Sequence, residues 1–392
     1  MHELRAIDVP AVAARAGEAL SRASGGAVRL DKLHPLSKED RRNFIARANA
    51  HFDDGSVRSV IVKATRSPDY DPAAVNLLQN SGLAREWVAT AYIAAHARNR
   101  GHGCALLAGD LASGILVFED LGIDPSSLVD SLLKGDAESA ERALELYATA
   151  LARLHGDTVG CLDAHHEGFQ SIFGPGRPRG APAWRVEKEA ELVASRIGGA
   201  PPASEVELLS FRIGDPGPWS SLIHGDPCPD NSLVVDGRIR LIDYEFARPS
   251  HALLDGIYWK LGFPTCWCAG RAPTDVAARL DAAYRAELAN SIPLALDDTA
   301  YRTELAYMSA VWLFTCLSWR LDEALKFDVT WGTWSVRGRL LWYLEAVIDM
   351  TAAAGVLPGI NQTAANWLSE LRVRWPDATP LGLYPAFANE AR

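Results

Sequence analysis

Cysteine is scarce in this chain, long apolar runs are missing and basic charge is in deficit, and each shortage removes a class of protein. Six cysteines (Cys104, Cys161, Cys228, Cys266, Cys268 and Cys316) spread over 392 residues do not make a disulfide framework, and a cytoplasmic compartment fits. Cys228 and the Cys266-Trp267-Cys268 triplet lack the paired spacing of a structural zinc site. They read as buried or half-exposed thiols, with Cys228 a site where alkylation would block activity. The longest nearly apolar stretch, residues 306–319, is interrupted by Ser309, Thr315 and Ser318 and falls short of a membrane span. The opening MHELRAIDVP carries acidic residues and no apolar core, so it does not read as a secretory signal. With 39 basic against 49 acidic side chains the net charge is -10, which argues against nucleic acid or an anionic membrane as partner and favours neutral or cationic ones. Internal repeats and low-complexity tracts are missing as well.

What is present is enough apolar material, 48% of a 392-residue chain, for two lobes around separate cores. It also holds one dense run of chemistry, SLIHGDPCPDNSLVVDGRIRLIDYEFA, with His224, Asp226, Asn231 and Asp243 in order. The spacing suits phosphoryl transfer, in which a protein aims a hydroxyl at a γ-phosphate and holds cations against the triphosphate. The Asp226 carboxylate is the base for that hydroxyl, and His224 beside it braces the loop. Magnesium takes hard oxygen ligands and needs few from protein, so the Asn231 amide oxygen and the Asp243 carboxylate suffice as metal ligands. Between them an apolar run, the Asp236-Gly237 turn and a second apolar run predict a hairpin that carries both ligands toward one point.

Along the chain, residues 10–23 read as a helix and 57–63 as the first strand, paired across the Asp53-Asp54-Gly55 turn with 44–50. Leu83, Trp87, Ala91 and Ala94 mark a helix with Ser81 as its N-cap. Strands follow at 104–107 and 114–118. Beyond residue 122 everything except the catalytic hairpin and a loop at 173–182 reads as helical, with helices at 137–155, 186–197, 274–288, 301–325, 336–354 and 362–374. The class is α+β and bilobal: a small antiparallel β lobe (1–118), a hinge (119–122) and a larger, mostly helical lobe (123–392). ATP is expected in the cleft between them.

HGDPCPDN followed by IDYEFA resembles the aminoglycoside phosphotransferase and choline kinase family, a branch of the protein-kinase-like fold. The resemblance runs from the strand at Val57 to the helix after Asp255. It implies that Lys63, ending the strand VIVK, contacts the α- and β-phosphates of ATP, and that Glu86 on the next helix fixes its ammonium. It implies that backbone groups of Glu119 and Leu121 in VFEDLG meet adenine, that His155 in LARLH is structural, and that Asp255 binds backbone groups of the catalytic loop. The likeness departs at LSKEDRRN (residues 36–43), which contains no glycine where a protein kinase has a glycine-rich loop. Ser37, Arg41, Arg42 and Asn43 are the candidates to cover the phosphates there.

The expected activity is ATP- and Mg²⁺-dependent phosphorylation of a hydroxyl on a small molecule or natural product of aminoglycoside, amino-alcohol or sugar type. The alternatives are a Ser/Thr kinase acting on a peptide during natural-product maturation, a nucleotide-binding regulator without turnover, and use of GTP in place of ATP. Acceptor identity and oligomeric state have no signal in the sequence. Trp312, Trp319, Trp331, Trp334 and Trp342 fall in the C-terminal helices, where the spacing of Met308, Trp312, Cys316 and Trp319 indicates core first and a pocket lining second. Glu304, Asp322 and Glu323 are candidates to attract a cationic acceptor, although isolated helix charges more often form a solvated face.

Overall fold

The computed structural model describes residues 4–68, 70–73, 82–97, 101–123, 125–175 and 184–388. The expected N-cap Ser81 and most of the loop at 173–182 lie outside them. The chain forms two units, each drawn from three segments. The first is Met1–Pro125, Asp163–Ala181 and Arg240–Ala247, and the second is Ser126–Leu162, Pro182–Ile239 and Arg248–Arg392.

The first unit is organised by an antiparallel sheet whose strands are β1 (Val28–Leu30), β2 (His34–Pro35), β3 (Asn43–Phe52), β4 (Val57–Thr65), β5 (Leu106–Asp110) and β6 (Ile115–Glu119). Their order is β1-β3-β4-β6-β5, with β2 against β3. Strand alternation decides which side chains face which helix. Phe44, Ala46, Ala48 and Ala50 of β3 and Val60, Val62 and Ala64 of β4 turn to one face and pack beneath helix α1 (Val9–Ser24). Asp8 caps α1 by accepting from the Ala11 amide, and Gly25 at φ 78° ends it in the left-handed conformation. Ile61 and Lys63 point to the opposite face, where helix α2 (Gly82–His96) lies; Ile61, Leu116 and Phe118 meet Leu83 and Trp87 there. The helix Leu162–Phe173 joins this layer through Phe169 and Phe173, which pack on Ala84, Val88 and Trp87.

His165 on that helix has an Nε2 sealed from water and without a hydrogen-bond partner among the described residues. Burial, with His166 adding, pushes its pKa down to about 4. The unfolded chain takes up that proton near the ordinary value while the folded chain stays neutral, so stability is full above about pH 7 and falls as pH drops toward 4. His165 is expected to contribute up to about 3 kcal/mol of that loss. His165→Phe should flatten the fall in urea midpoint between pH 7.5 and 5, and an unchanged slope would remove His165 from the account.

The second unit is built on the 29-residue helix Asp298–Lys326, capped by Asp297 accepting from the Ala300 amide. Its Leu305, Met308, Trp312, Phe314 and Leu317 are buried, and Val336–Ala354 and Val186–Ile197 pack beside it. Ala137–Asp157 and Thr274–Leu288 form a second helical pair. Strands occur where the sequence showed none: Ser220–Ile223 pairs antiparallel with Arg248–His251, and Thr330–Trp331 with Trp334–Ser335. No described helix is long and apolar enough to cross a membrane.

Candidate active site

Lys63 owes its position to the β4–α2 layer. It pairs across the sheet with Leu116 and faces α2, where Glu86 stands one helical turn after Leu83. Its ammonium lies 2.6 Å from Glu86 Oε2 and 2.5 Å from Asp243 Oδ1, all three residues within the first unit. Burial alone would strip the proton from Lys63, but the carboxylates of Glu86, Asp243 and Glu245 raise its pKa above the ordinary lysine range, and it stays cationic. Glu86, buried beside it, is pushed up to about 7 because desolvation outweighs the pull of Lys63. One ammonium thus faces two carboxylates. Asp243 itself is in the left-handed region, at φ 66°, which Asp tolerates better than most residues with a Cβ.

Around this trio, Glu245 is buried and accepts from Arg42 Nη2 at 2.5 Å and Asn43 Nδ2 at 3.3 Å. The Ser37 hydroxyl accepts from the Ile45 amide. Three of the four side chains expected to cover phosphates are therefore engaged within the protein, and Arg41 is exposed. The segment after β6 is pinned to the sheet: Arg47 makes a two-pronged pair with Asp120, at 2.7 and 3.1 Å, and donates to Gly122 O at 2.6 Å. Burial opposes the Asp120 charge, yet the bonds from Arg47 and Ser59 hold its carboxyl below the usual range. The Glu119 amide donates to Ala105 O and is engaged within the protein. Leu121 follows Asp120 in this held segment.

The loop from His224 to Asn231 belongs to the second unit and is built on a buried carboxylate. Asp255, fully buried, accepts from the His224 amide at 2.6 Å and the Gly225 amide at 3.1 Å. Its Oδ2 is also 3.3 Å from His155 Nε2, and His155 Nδ1 is 2.8 Å from the Tyr284 hydroxyl. Gly225 has φ 79°, a left-handed turn that fits glycine, which explains the glycine between His224 and Asp226. Asn231 Nδ2 donates to Asp226 O at 3.0 Å. The Thr265 hydroxyl donates to Asp226 Oδ1 at 2.5 Å, and the Tyr147 hydroxyl to Pro227 O at 2.6 Å.

The second unit thus brings His224, Asp226 and Asn231 onto one loop, while Lys63, Glu86, Asp243, Glu119 and Leu121 belong to the first unit. Thr265, Tyr147 and Tyr284 come from elements with no motif of their own and were not expected. Cys228 and Cys266 correct the reading of these residues as thiols: they form a disulfide, with Cα atoms 5.6 Å apart across a separation of 38 residues. Neither CxC spacing nor the total cysteine count reveals such a pair, because the two segments meet only in the folded chain. Trp312 is core and donates to Leu254 O, whereas Trp319 is half exposed, edge-on to Trp331, with the Arg320 guanidinium over both rings. The three acidic candidates already have cationic partners, Glu304 with Arg212, Asp322 with Arg196 and Glu323 with Arg320, and Glu304 also meets the buried His251 ring at 3.1 Å.

No family model matches the chain, and no curated relative matches it. Among solved structures it is similar to a thermostable mutant of aminoglycoside phosphotransferase APH(4)-Ia, at 13% identity over 87% of this chain and 100% of that one, with a TM-score of 0.43. It is also similar to a choline/ethanolamine kinase family protein from Mesorhizobium loti, at 16% identity over 88% and 93% of the two chains and a TM-score of 0.40. A choline kinase from Cryptosporidium parvum shows 12% identity over 86% and 93%, with a TM-score of 0.46. These are the two kinase groups that the sequence resembles.

Proposed function

We propose that the protein is an ATP-dependent kinase that phosphorylates a hydroxyl of a small molecule. The observation that carries this reading is the buried Lys63, held as a permanent cation by Glu86 and Asp243. A lysine buried this deeply needs its charge for something, and an ammonium fixed by carboxylates on one side suits the α- and β-phosphates of a nucleotide. Asp226 accepts the proton of the acceptor hydroxyl, its other contacts being satisfied by Thr265 so that the carboxylate is oriented before substrate arrives. His224 holds the loop through its backbone bond to Asp255, acting on geometry rather than on the proton. Asn231 and Asp243 offer the amide and carboxylate oxygens that magnesium prefers, and a bound ion would neutralise charge on the phosphates. Backbone groups of Glu119 and Leu121 receive the purine.

The test is ADP formation from ATP and Mg²⁺ with a panel of aminoglycosides, amino alcohols, sugars and Ser/Thr peptides. At least one small-molecule hydroxyl is expected to stimulate turnover, and Lys63→Met should raise the KM for ATP about 10- to 100-fold through loss of one charge-assisted contact. Binding of ATP without ADP formation from any acceptor would favour a regulator, and stimulation by peptides alone would replace the small-molecule acceptor.

A further inference from the structure

The Cys228–Cys266 bond joins the two segments whose side chains meet at Asp226. Cys228 follows Asp226 by two residues, and Cys266 directly follows Thr265, the donor to Asp226 Oδ1. The Cys228 sulfur is itself 3.1 Å from Asp226 Oδ1 and 3.2 Å from Thr265 Oγ1. The Cys266 segment is also held from two other directions, by Arg339 and by Asp230 of the loop itself. The buried Arg339 donates to Cys266 O at 2.5 Å and Trp267 O at 2.9 Å, and the Trp267 indole donates to Asp230 Oδ2 at 2.9 Å. The covalent bond therefore ties the loop from His224 to Asn231 to a segment fixed by the Arg339 guanidinium.

We infer that the Cys228–Cys266 pair is a redox modification site that sets the working geometry of Asp226, the cross-linked form being the competent one. The inference rests on the proposed role of Asp226 as base. In the cross-linked chain the Thr265 hydroxyl and the Asn231 amide already bond to Asp226, so opening the bond loosens an ordered cluster. A small-molecule disulfide such as oxidised glutathione closes the pair. One cysteine thiolate attacks it and expels a thiolate, and the second cysteine attacks the mixed disulfide and expels the other. Two thiol protons and two electrons pass from the protein to the oxidant, which leaves as two thiols. Cys228 is 4% and Cys266 1% exposed, so exchange requires the segments to part first and is slow.

The full-length protein is equilibrated in buffers of graded reduced-to-oxidised glutathione, alkylated and mapped by mass spectrometry. Thermal unfolding and turnover of ATP, with the best acceptor or with water, are measured on the same samples. In oxidising buffer Cys228 and Cys266 are expected to resist alkylation and appear as a linked peptide pair. Reduction should lower the melting temperature by several degrees and kcat about tenfold, the cost of a loosened reacting geometry, with the KM for ATP unchanged. Cys266→Ser should hold the protein at the reduced level of activity whatever the buffer, while Cys104→Ser keeps the response. Alkylation of both cysteines in oxidising buffer overturns the inference, as does a cross-link that forms without moving kcat or melting. Loss of the Asp226 assignment is seen separately, as turnover retained in Asp226→Asn with cross-linking intact.

Discussion

Asp226→Asn is expected to lower kcat by about 10²- to 10⁴-fold while leaving the ATP-dependent rise in melting temperature in place. The change removes a proton acceptor and little else. An asparagine oxygen can still accept from the Thr265 hydroxyl, and the backbone carbonyl of residue 226 still accepts from Asn231 Nδ2. Gly225 keeps its left-handed turn, and the loop amides stay on Asp255. Lys63, Glu86 and Asp243 belong to the other unit and are untouched, so nucleotide affinity should persist. A coupled ADP assay beside a thermal shift with ATP and Mg²⁺ reads both quantities. Turnover within tenfold of the parent would remove Asp226 as base.

Asp255→Ala should be the most damaging single change to the fold of the catalytic loop, costing about 3–5 kcal/mol in denaturant unfolding. Its carboxylate serves the His224 amide, the Gly225 amide and His155 Nε2 at a fully buried position. Alanine leaves those groups in a dry interior without an acceptor. Asp255→Asn keeps one oxygen and should lose less stability, yet its amide offers a donor where two backbone donors converge, so turnover should still fall. The ordering Ala, Asn, parent in urea midpoint checks the argument; a loss under about 1 kcal/mol for alanine would show that water or a shift of the loop replaces the carboxylate.

Where the sequence was informative, the signals were local. Val186–Ile197, Thr274–Leu288 and Val336–Ala354 coincide with the helices expected from periodicity alone, because each carries an unbroken apolar stripe. The hairpin β3–β4 follows from alternation on either side of Asp53-Asp54-Gly55. The next two strands are displaced, Leu106–Asp110 and Ile115–Glu119 in place of 104–107 and 114–118. A register shift between Leu106 and Ala108 breaks the alternation that would have located them. Ser220–Ile223 and Arg248–His251 went unseen because each is four residues long and finds its partners 25 to 31 residues away.

The same distinction holds for the site. His224 to Asn231 is contiguous and visible as a motif, whereas the neighbourhood of Lys63 and Glu86 has no spacing signal and was suggested only by the family likeness. Thr265, Tyr284 and Arg339 come from separate elements, and nothing in FPTCWC marks its threonine as a partner of a carboxylate 39 residues earlier. The cysteine pair was visible as residues but not as a bond.

The eight residues Arg240–Ala247 lie far along the chain yet complete the first unit. Leu241 donates to His102 O, Arg240 to Gly103 O, and the Tyr244 hydroxyl to His102 O, while Asp243 supplies the second carboxylate on Lys63. No single stretch of gene encodes this unit. A fragment ending at Pro125 would keep the buried lysine and lose Asp243 and Glu245, two of the three carboxylates that hold its charge, so domain shuffling or limited proteolysis there cannot release an intact first unit. Any insertion or deletion between Pro125 and Arg240 must leave this returning segment able to reach the sheet it completes.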